Sequence, residues 1–203
     1  MPDLTDDAEK ARAAKIALRS RLITERRSRF RDDEGLRTHL STLIRSTTPK
    51  TVAAYVPVGS EPGGAARPAK LAGYATVLLP VLLPSGDLDW AAYEGSLASG
   101  PRGLQEPPGP RLGVSAIRSA DLVLVPALAV DRHGMRLGRG GGSYDRALAR
   151  LDGTSARVVA LLHDGEVVDR VPAEPHDRPV HAAVTPRGIL AFSALSRGAE
   201  WTK

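Results

Sequence analysis

The chain has no cysteine, two tryptophans, two phenylalanines and two methionines among 203 residues, and aromatics make up 4% of it. The lack of cysteine excludes disulfides, thiolate metal sites and cysteine nucleophiles. The shortage of aromatics means that any core is built from Val, Leu, Ile and Ala. No apolar run approaches the roughly 18 residues a membrane span needs. The first nine residues are polar and largely acidic, without the apolar stretch of a secretory signal. A cytoplasmic protein with no membrane partner is the expectation.

What is present is an ordinary folding composition. Apolar residues make up 42% and charged residues 25%, enough for one α/β domain of this length. The formal net charge of +5 favours anionic partners. It does not by itself identify nucleic acid, and no RNP aromatics, helix-turn-helix pattern or zinc spacing supports that reading.

Periodicity predicts a helix over 7–30, with Leu18 and Leu22 four apart and Lys15 and Arg19 sharing a face. A second helix is predicted from Asp32 to Arg45, with Leu36, Leu40, Leu43 and Ile44 as its apolar stripe. Aliphatic strands are expected at 51–56, 76–83, 121–125, 157–162 and 180–185, and residues 88–93 read as a short strand or an extended edge. Pro80 is anomalous inside the second of these. Residues 65–72 read as a short helix and 144–151 as another. Residues 99–113, rich in Gly and Pro, read as a loop, and the tail from Gly198 as frayed. Continuous aliphatic strands separated by helices predict a three-layer α/β sandwich with a mostly parallel central sheet. A single domain over 1–203 is expected, with N-terminal helices at about 7–46 packed on it. Ligands in such sheets bind beyond the C-terminal strand ends.

The richest segment is RLGRGGGSYD, Arg136 to Asp145. Glycines at 138, 140, 141 and 142 let backbone N–H groups approach an anion, and Arg136 and Arg139 supply guanidinium forks suited to phosphate. A following helix N-terminus would add partial positive charge. The loop is neither a Walker A motif nor a clean dinucleotide fingerprint. A phosphate cradle and a flexible turn both fit the pattern alone. Asp131, His133 and Asp164 fall in predicted turns, where local hydrogen bonding accounts for them; His176 beside Asp177 is weak evidence for a base.

RLGRGGGSYDRAL resembles the RLG-x-G-x-G-Y-Y-D signature of the 5-formyltetrahydrofolate cyclo-ligase family. KIALR at 15–19, YVPVGSEP at 55–62 and VPAEPHDRPVHAAVTPRG at 171–188 resemble its other elements, in order. The resemblance implies ATP-dependent ring closure of 5-formyltetrahydrofolate, possible polyglutamylated forms included, to the 5,10-methenyl form, with ATP as co-substrate, Mg²⁺ as cofactor, and a monomer. It implies nucleotide contacts at Lys15, Arg19, Arg136, Leu137, Gly138, Arg139, Gly140, Gly141, Gly142, Ser143 and Tyr144. Arg139 and Tyr144 would be catalytic, Val56 and Glu61 folate contacts, and Asp145 and Asp177 metal ligands. Many members carry Lys where this chain has Gly141 and an aromatic where it has Ser143. A non-catalytic folate- or nucleotide-binding relative, a phosphosugar isomerase or CoA-transferase-like enzyme, and a basic nucleic-acid binder are the rival readings.

Overall fold

The computed structural model describes residues 4–28, 33–64 and 67–192. In chain order its elements are helices α1 (Leu4–Ser28) and α2 (Asp33–Thr47), strand β1 (Thr51–Ala53), helix α3 (Arg67–Ala72), and strands β2 (Thr76–Leu82), β3 (Leu88–Ala92), β4 (Ala98–Ser99) and β5 (Gln105–Glu106). After a 3-10 segment at Val114–Ser119 come β6 (Leu122–Pro126), β7 (Ala129–Asp131), β8 (Arg136–Leu137), α4 (Ser143–Ala149), β9 (Arg157–Leu161), β10 (Val167–Val168), β11 (Ala182–Thr185) and β12 (Gly188–Ala191).

Seven strands form the main sheet in the order β12-β11-β9-β6-β1-β2-β3. The five central strands are mutually parallel, and the edge strands β12 and β3 run antiparallel to their neighbours. The expected α/β sandwich is therefore present. Its strands sort their side chains with period two into two cores. Val123, Val125, Val158, Ala160 and Ala183 point into one, which holds Ala147 and Leu148 of α4 and Ile117 of the 3-10 segment. Leu122, Leu124, Val159, Leu161, Ala182 and Val184 point into the other, against Leu36, Leu40, Leu43 and Ile44 of α2 and Leu71 of α3. Both faces are covered, which is why the strands read as continuous aliphatic runs.

Several boundaries differ from expectation. The first strand ends at Ala53 rather than 56, so Tyr55 and Val56 extend beyond it toward the site. Pro80 does lie inside β2, opposite Trp90 of β3. β1 pairs with β2 only as far as Leu78, so the ladder position that Pro80 cannot serve has no strand beside it. The next backbone N–H on that side, that of Leu82, donates to Glu106 Oε1 at 2.8 Å. The segment expected to be a plain loop thus contributes a hairpin, β4 with β5, that caps an open strand edge. Strands β7, β8 and β10 form a small separate sheet. At two or three residues each they are too short for periodicity to reveal. The expectations at Asp32 and at the tail from Gly198 fall outside the described residues.

Numbering only the parallel strands along the chain, their spatial order is 2-1-3-4-5, and the connections diverge between β1 and β6. A crevice opens at such a switch point, outside the carboxyl ends of the strands.

Candidate functional site

A cavity of about 400 Å³ occupies that crevice. Its walls come from Tyr55, Val56 and Glu61 after β1, from Pro80 and Leu82 of β2, from Pro126 to Leu128 at the end of β6, and from Arg136 and Gly138 to Asp145. Val56, Glu61 and the glycine-rich loop, distant in sequence, are thus brought to one pocket. Lys15, Arg19, Leu137 and Asp177 stand outside its lining.

The loop hangs from β8. Leu137 is fully buried and packs with Leu22, Leu128 and Val171, so its side chain is a core anchor rather than a lining group. Gly140 (φ +101°) and Gly142 (φ +68°) adopt backbone conformations that side chains with a Cβ rarely take, and Gly142 leads directly into α4. That helix has only seven residues and no side-chain cap. Ser143 does not point into the loop; its Oγ donates to the Gly86 carbonyl at 2.5 Å and ties the loop to the β2–β3 turn.

Charged groups interlock around the pocket. Arg136 is buried, donating from Nη2 to Asp145 Oδ1 at 2.7 Å and from Nη1 to the Pro126 carbonyl at 3.3 Å. The same Asp145 oxygen accepts from the backbone N–H of Arg178 at 3.4 Å, bringing the C-terminal acidic segment against α4. Lys15, 2% exposed, pairs with Glu174 at 2.7 Å and with Asp177. One turn further along α1, Arg19 Nε donates to the Gly138 carbonyl at 3.0 Å. Two turns beyond that, buried Arg26 grips Glu166 through Nε and Nη2 (2.7 and 2.6 Å) and also reaches the Ala127 carbonyl at 2.7 Å. Lys15, Arg19, Arg136 and Asp177 therefore form a continuous polar wall behind the loop. Arg139 is half exposed at the mouth, with Nε 3.3 Å from Glu61 Oε1. The other Glu61 oxygen accepts from the Val58 backbone N–H at 2.9 Å, which folds its loop back on itself.

Burial pushes the Tyr144 hydroxyl far above its ordinary range, and the nearby Glu61 carboxylate adds to the shift. It therefore stays protonated at neutral pH. Hydrogen bonding from Lys15 holds the Glu174 carboxyl below its usual range.

The two acids expected to hold Mg²⁺ are each partly engaged by cations and N–H groups. Asp145 Oδ1 is occupied by Arg136 and Arg178, and Asp177 Oδ2 by Lys15 and by the Glu174 N–H at 2.6 Å. Each acid keeps a second oxygen outside these bonds among the described residues, and Asp177 Oδ1 has only His176 Nε2 at 3.9 Å. These remaining oxygens are hard donors of the type Mg²⁺ takes alongside water and phosphate. Glu174, His176 and Asp177 also present ligand atoms within 4.8 Å of one another.

Of the polar residues set aside in sequence, Asp131 bonds within its turn and also to a distant segment, whereas the ion pair of Asp164 reaches 23 residues beyond its own turn. Asp131 accepts from the N–H groups of His133, Met135 and Val171, and Asp164 pairs with Arg187. Arg26, Glu166 and Glu174 were missed. Glu174 was visible three residues before Asp177; nothing in the pattern announces a 140-residue pairing of Arg26 with Glu166.

A doubly wound sheet with a glycine-rich, arginine-walled crevice at its switch point defines an enzyme-type α/β fold for a small anionic ligand. The chain belongs to the 5-formyltetrahydrofolate cyclo-ligase family, whose model matches residues 8–186. It is 46% identical over 192 residues to the 5-formyltetrahydrofolate cyclo-ligase of Mycolicibacterium smegmatis, covering 88% of this chain and 97% of that one. It is 35% identical over 117 residues to the Escherichia coli enzyme of the same name, covering 56% and 64%. The fold matches the NMR structure of Aquifex aeolicus 5,10-methenyltetrahydrofolate synthetase with a TM-score of 0.73 at 26% identity, covering 88% of this chain and 92% of that one. No helix among the described residues is long and apolar enough to cross a membrane.

Proposed function

We propose that the protein converts 5-formyltetrahydrofolate and ATP to 5,10-methenyltetrahydrofolate, ADP and phosphate. The observation that carries this reading is the single crevice that joins the Val56–Glu61 loop to the glycine-rich loop, in a chain of this family. The formyl oxygen on N5 is amide-like and a poor leaving group. Its attack on the γ-phosphorus forms a C–O–P linkage as the bond to ADP breaks. N10 then attacks the activated carbon, loses its proton, and phosphate departs. No protein nucleophile is needed, so the burden on the chain is alignment and charge neutralisation.

In this reading Val56 meets the apolar ring system and Glu61 a polar edge of the folate. The backbone from Gly138 to Gly142 and the guanidinium of Arg139 hold phosphate. The Tyr144 hydroxyl, kept protonated by burial, donates to the reacting oxygens. Lys15 and Arg19 serve the phosphates from α1, Lys15 exchanging one of its carboxylate partners for them. Mg²⁺ held by Asp145 and Asp177 would offset negative charge on the phosphates. The working unit is one domain, a monomer, acting in the cytoplasm.

The test is an absorbance assay for methenyltetrahydrofolate with and without ATP and Mg²⁺. ATP-dependent product formation supports the reading. Folate or nucleotide binding with no product would make the protein a non-catalytic relative. Asp145→Asn and Asp177→Asn should each retain the fold and ATP-free folate binding while losing turnover, partly restored by excess Mg²⁺; full activity of both at limiting Mg²⁺ removes them from the metal site.

A further inference from the structure

A second cavity, of about 520 Å³, lies between α2 and α3, and its lining shares no residue with the crevice described above. Four of its lining residues are cationic, Arg37, Arg45, Arg67 and Lys70, against one acid, Glu34. Arg37, Arg45 and Lys70 are exposed on the rim, and none makes an ion pair with a described residue. Arg67 is different: it is 3% exposed, and none of its three guanidinium nitrogens has a hydrogen-bond partner. Its charge centre stacks on the Tyr55 ring, 4.4 Å from the centroid, with the hydroxyl close enough to feel the charge but without hydrogen-bond geometry.

A buried guanidinium with five unused donors is costly, and ring stacking replaces only part of what water supplied. Its other side lies against Gly63, where a Cβ would come within 2.1 Å of Nη2. Gly63 and Gly64, at φ +96° and +68°, line the same cavity beside Arg67 and carry no side chain to crowd it. The guanidinium fork matches the paired oxygens of a carboxylate or phosphate.

We propose that the cavity between α2 and α3 is an oxyanion-binding site, separate from the catalytic crevice, in which Arg67 forms the paired contact and Arg45 and Lys70 supply rim charge. The ligand class is a small molecule or chain terminus carrying phosphate or carboxylate. Because Tyr55 lines the crevice and stacks on Arg67, an anion on Arg67 would act on the crevice wall through that stacking contact.

The experiment titrates the full chain with pyrophosphate and, separately, with triglutamate, at constant ionic strength, following calorimetric binding and thermal unfolding. The wild type should bind at least one probe saturably with a rise in Tm; which probe binds tighter distinguishes a phosphate from a carboxylate source. Arg67→Met should weaken that binding at least tenfold, yet unfold cooperatively at an equal or higher Tm in anion-free buffer, because an unpaired buried charge has gone. The Arg45→Ala, Lys70→Ala double variant, altered only at exposed positions, should weaken binding several-fold. Arg139→Ala should leave it intact. Absence of saturable binding, or binding that survives Arg67→Met and fails in Arg139→Ala, overturns the proposal. So does an Arg67→Met variant that loses Tm in anion-free buffer while binding as the wild type does, since Arg67 would then be only a packing partner of Tyr55.

Discussion

Helices α1 and α2 follow one another in the chain and are held by opposite means. α2 buries Leu36, Leu40, Leu43 and Ile44 against the sheet, and its polar side chains point to solvent. Among the described side chains of α1 the buried ones are Lys15, Leu22 and Arg26, so two of the three are cationic, while Ile16 and Ile23 are exposed. An apolar stripe buys adhesion without direction: it fixes a helix to a surface and tolerates small shifts. Ion pairs to Asp177, Glu174 and Glu166 and a bond to the Gly138 carbonyl fix α1 in angle and register against particular loops. Toward the crevice α2 is scaffold, whereas α1 reaches its lining through Arg26.

The sharpest way to break this contrast is at Arg26. Arg26→Ala leaves Glu166 buried and uncompensated, and should cost about 3–5 kcal/mol of stability. Removing both charges, with Arg26→Met and Glu166→Gln, should recover part of that loss, because the Gln oxygen can still accept from the His163 N–H that now bonds to Glu166 at 2.8 Å. Urea unfolding of the wild type and the two variants checks the order. If the single and double variants are equally unstable, packing rather than charge holds α1.

The counterpart in α2 is Leu43→Ala. Leu43 is fully buried, so the transfer and cavity terms together predict a loss of about 2–5 kcal/mol. At a temperature where the variant stays folded, turnover per folded molecule should match the wild type. A fall in kcat beyond the folded fraction would mean that α2 also shapes the crevice.

The two helices also differ in how far the sequence betrays them. The stripe of α2 repeats every three to four residues, and that local rule names its buried face. The buried cations of α1 occupy equally regular positions, but what they touch lies 101 to 162 residues away, and no spacing rule crosses that gap. Family resemblance named Lys15 and Arg19 and gave no hint of Arg26 or Glu166. The main strands were legible because both faces of the sheet are buried; β7, β8 and β10 were not, being too short for any period to develop. The crevice loops were legible because glycine at positive φ and clustered arginine are chemically distinctive. Motif membership does not say which way a side chain points: that of Leu137 lies in the core and that of Ser143 on the Gly86 carbonyl.

Tyr144→Phe tests the wall from the crevice side. The hydroxyl stays protonated through any physiological pH, so the rate profile of the wild type should show no alkaline limb from it. The variant should lose about tenfold or more in kcat, the scale of one hydrogen bond to a reacting oxygen, with little change in stability. An unchanged kcat would leave Tyr144 as a packing residue.

The smallest effect is the pH dependence of the α1 contact itself. Lys15 holds the Glu174 carboxyl below its ordinary value of 4.5. A group whose pKa is lower in the folded state stabilises that state above its unfolded value, and loses the contribution as pH falls through the folded one. The Lys15–Glu174 contribution is therefore complete at neutral pH and above 4.5, declines below that, and is gone once the folded-state carboxyl is protonated. Glu174 is about a quarter exposed, so solvent screens the pair and the effect is small. Other carboxylates titrate in the same window, and Lys15→Met isolates this one. The stability difference between wild type and variant, followed by urea midpoint from neutral pH to below 4.5, should shrink as pH falls. A difference that stays constant would assign the contribution of Lys15 to its buried aliphatic stem rather than to its charge.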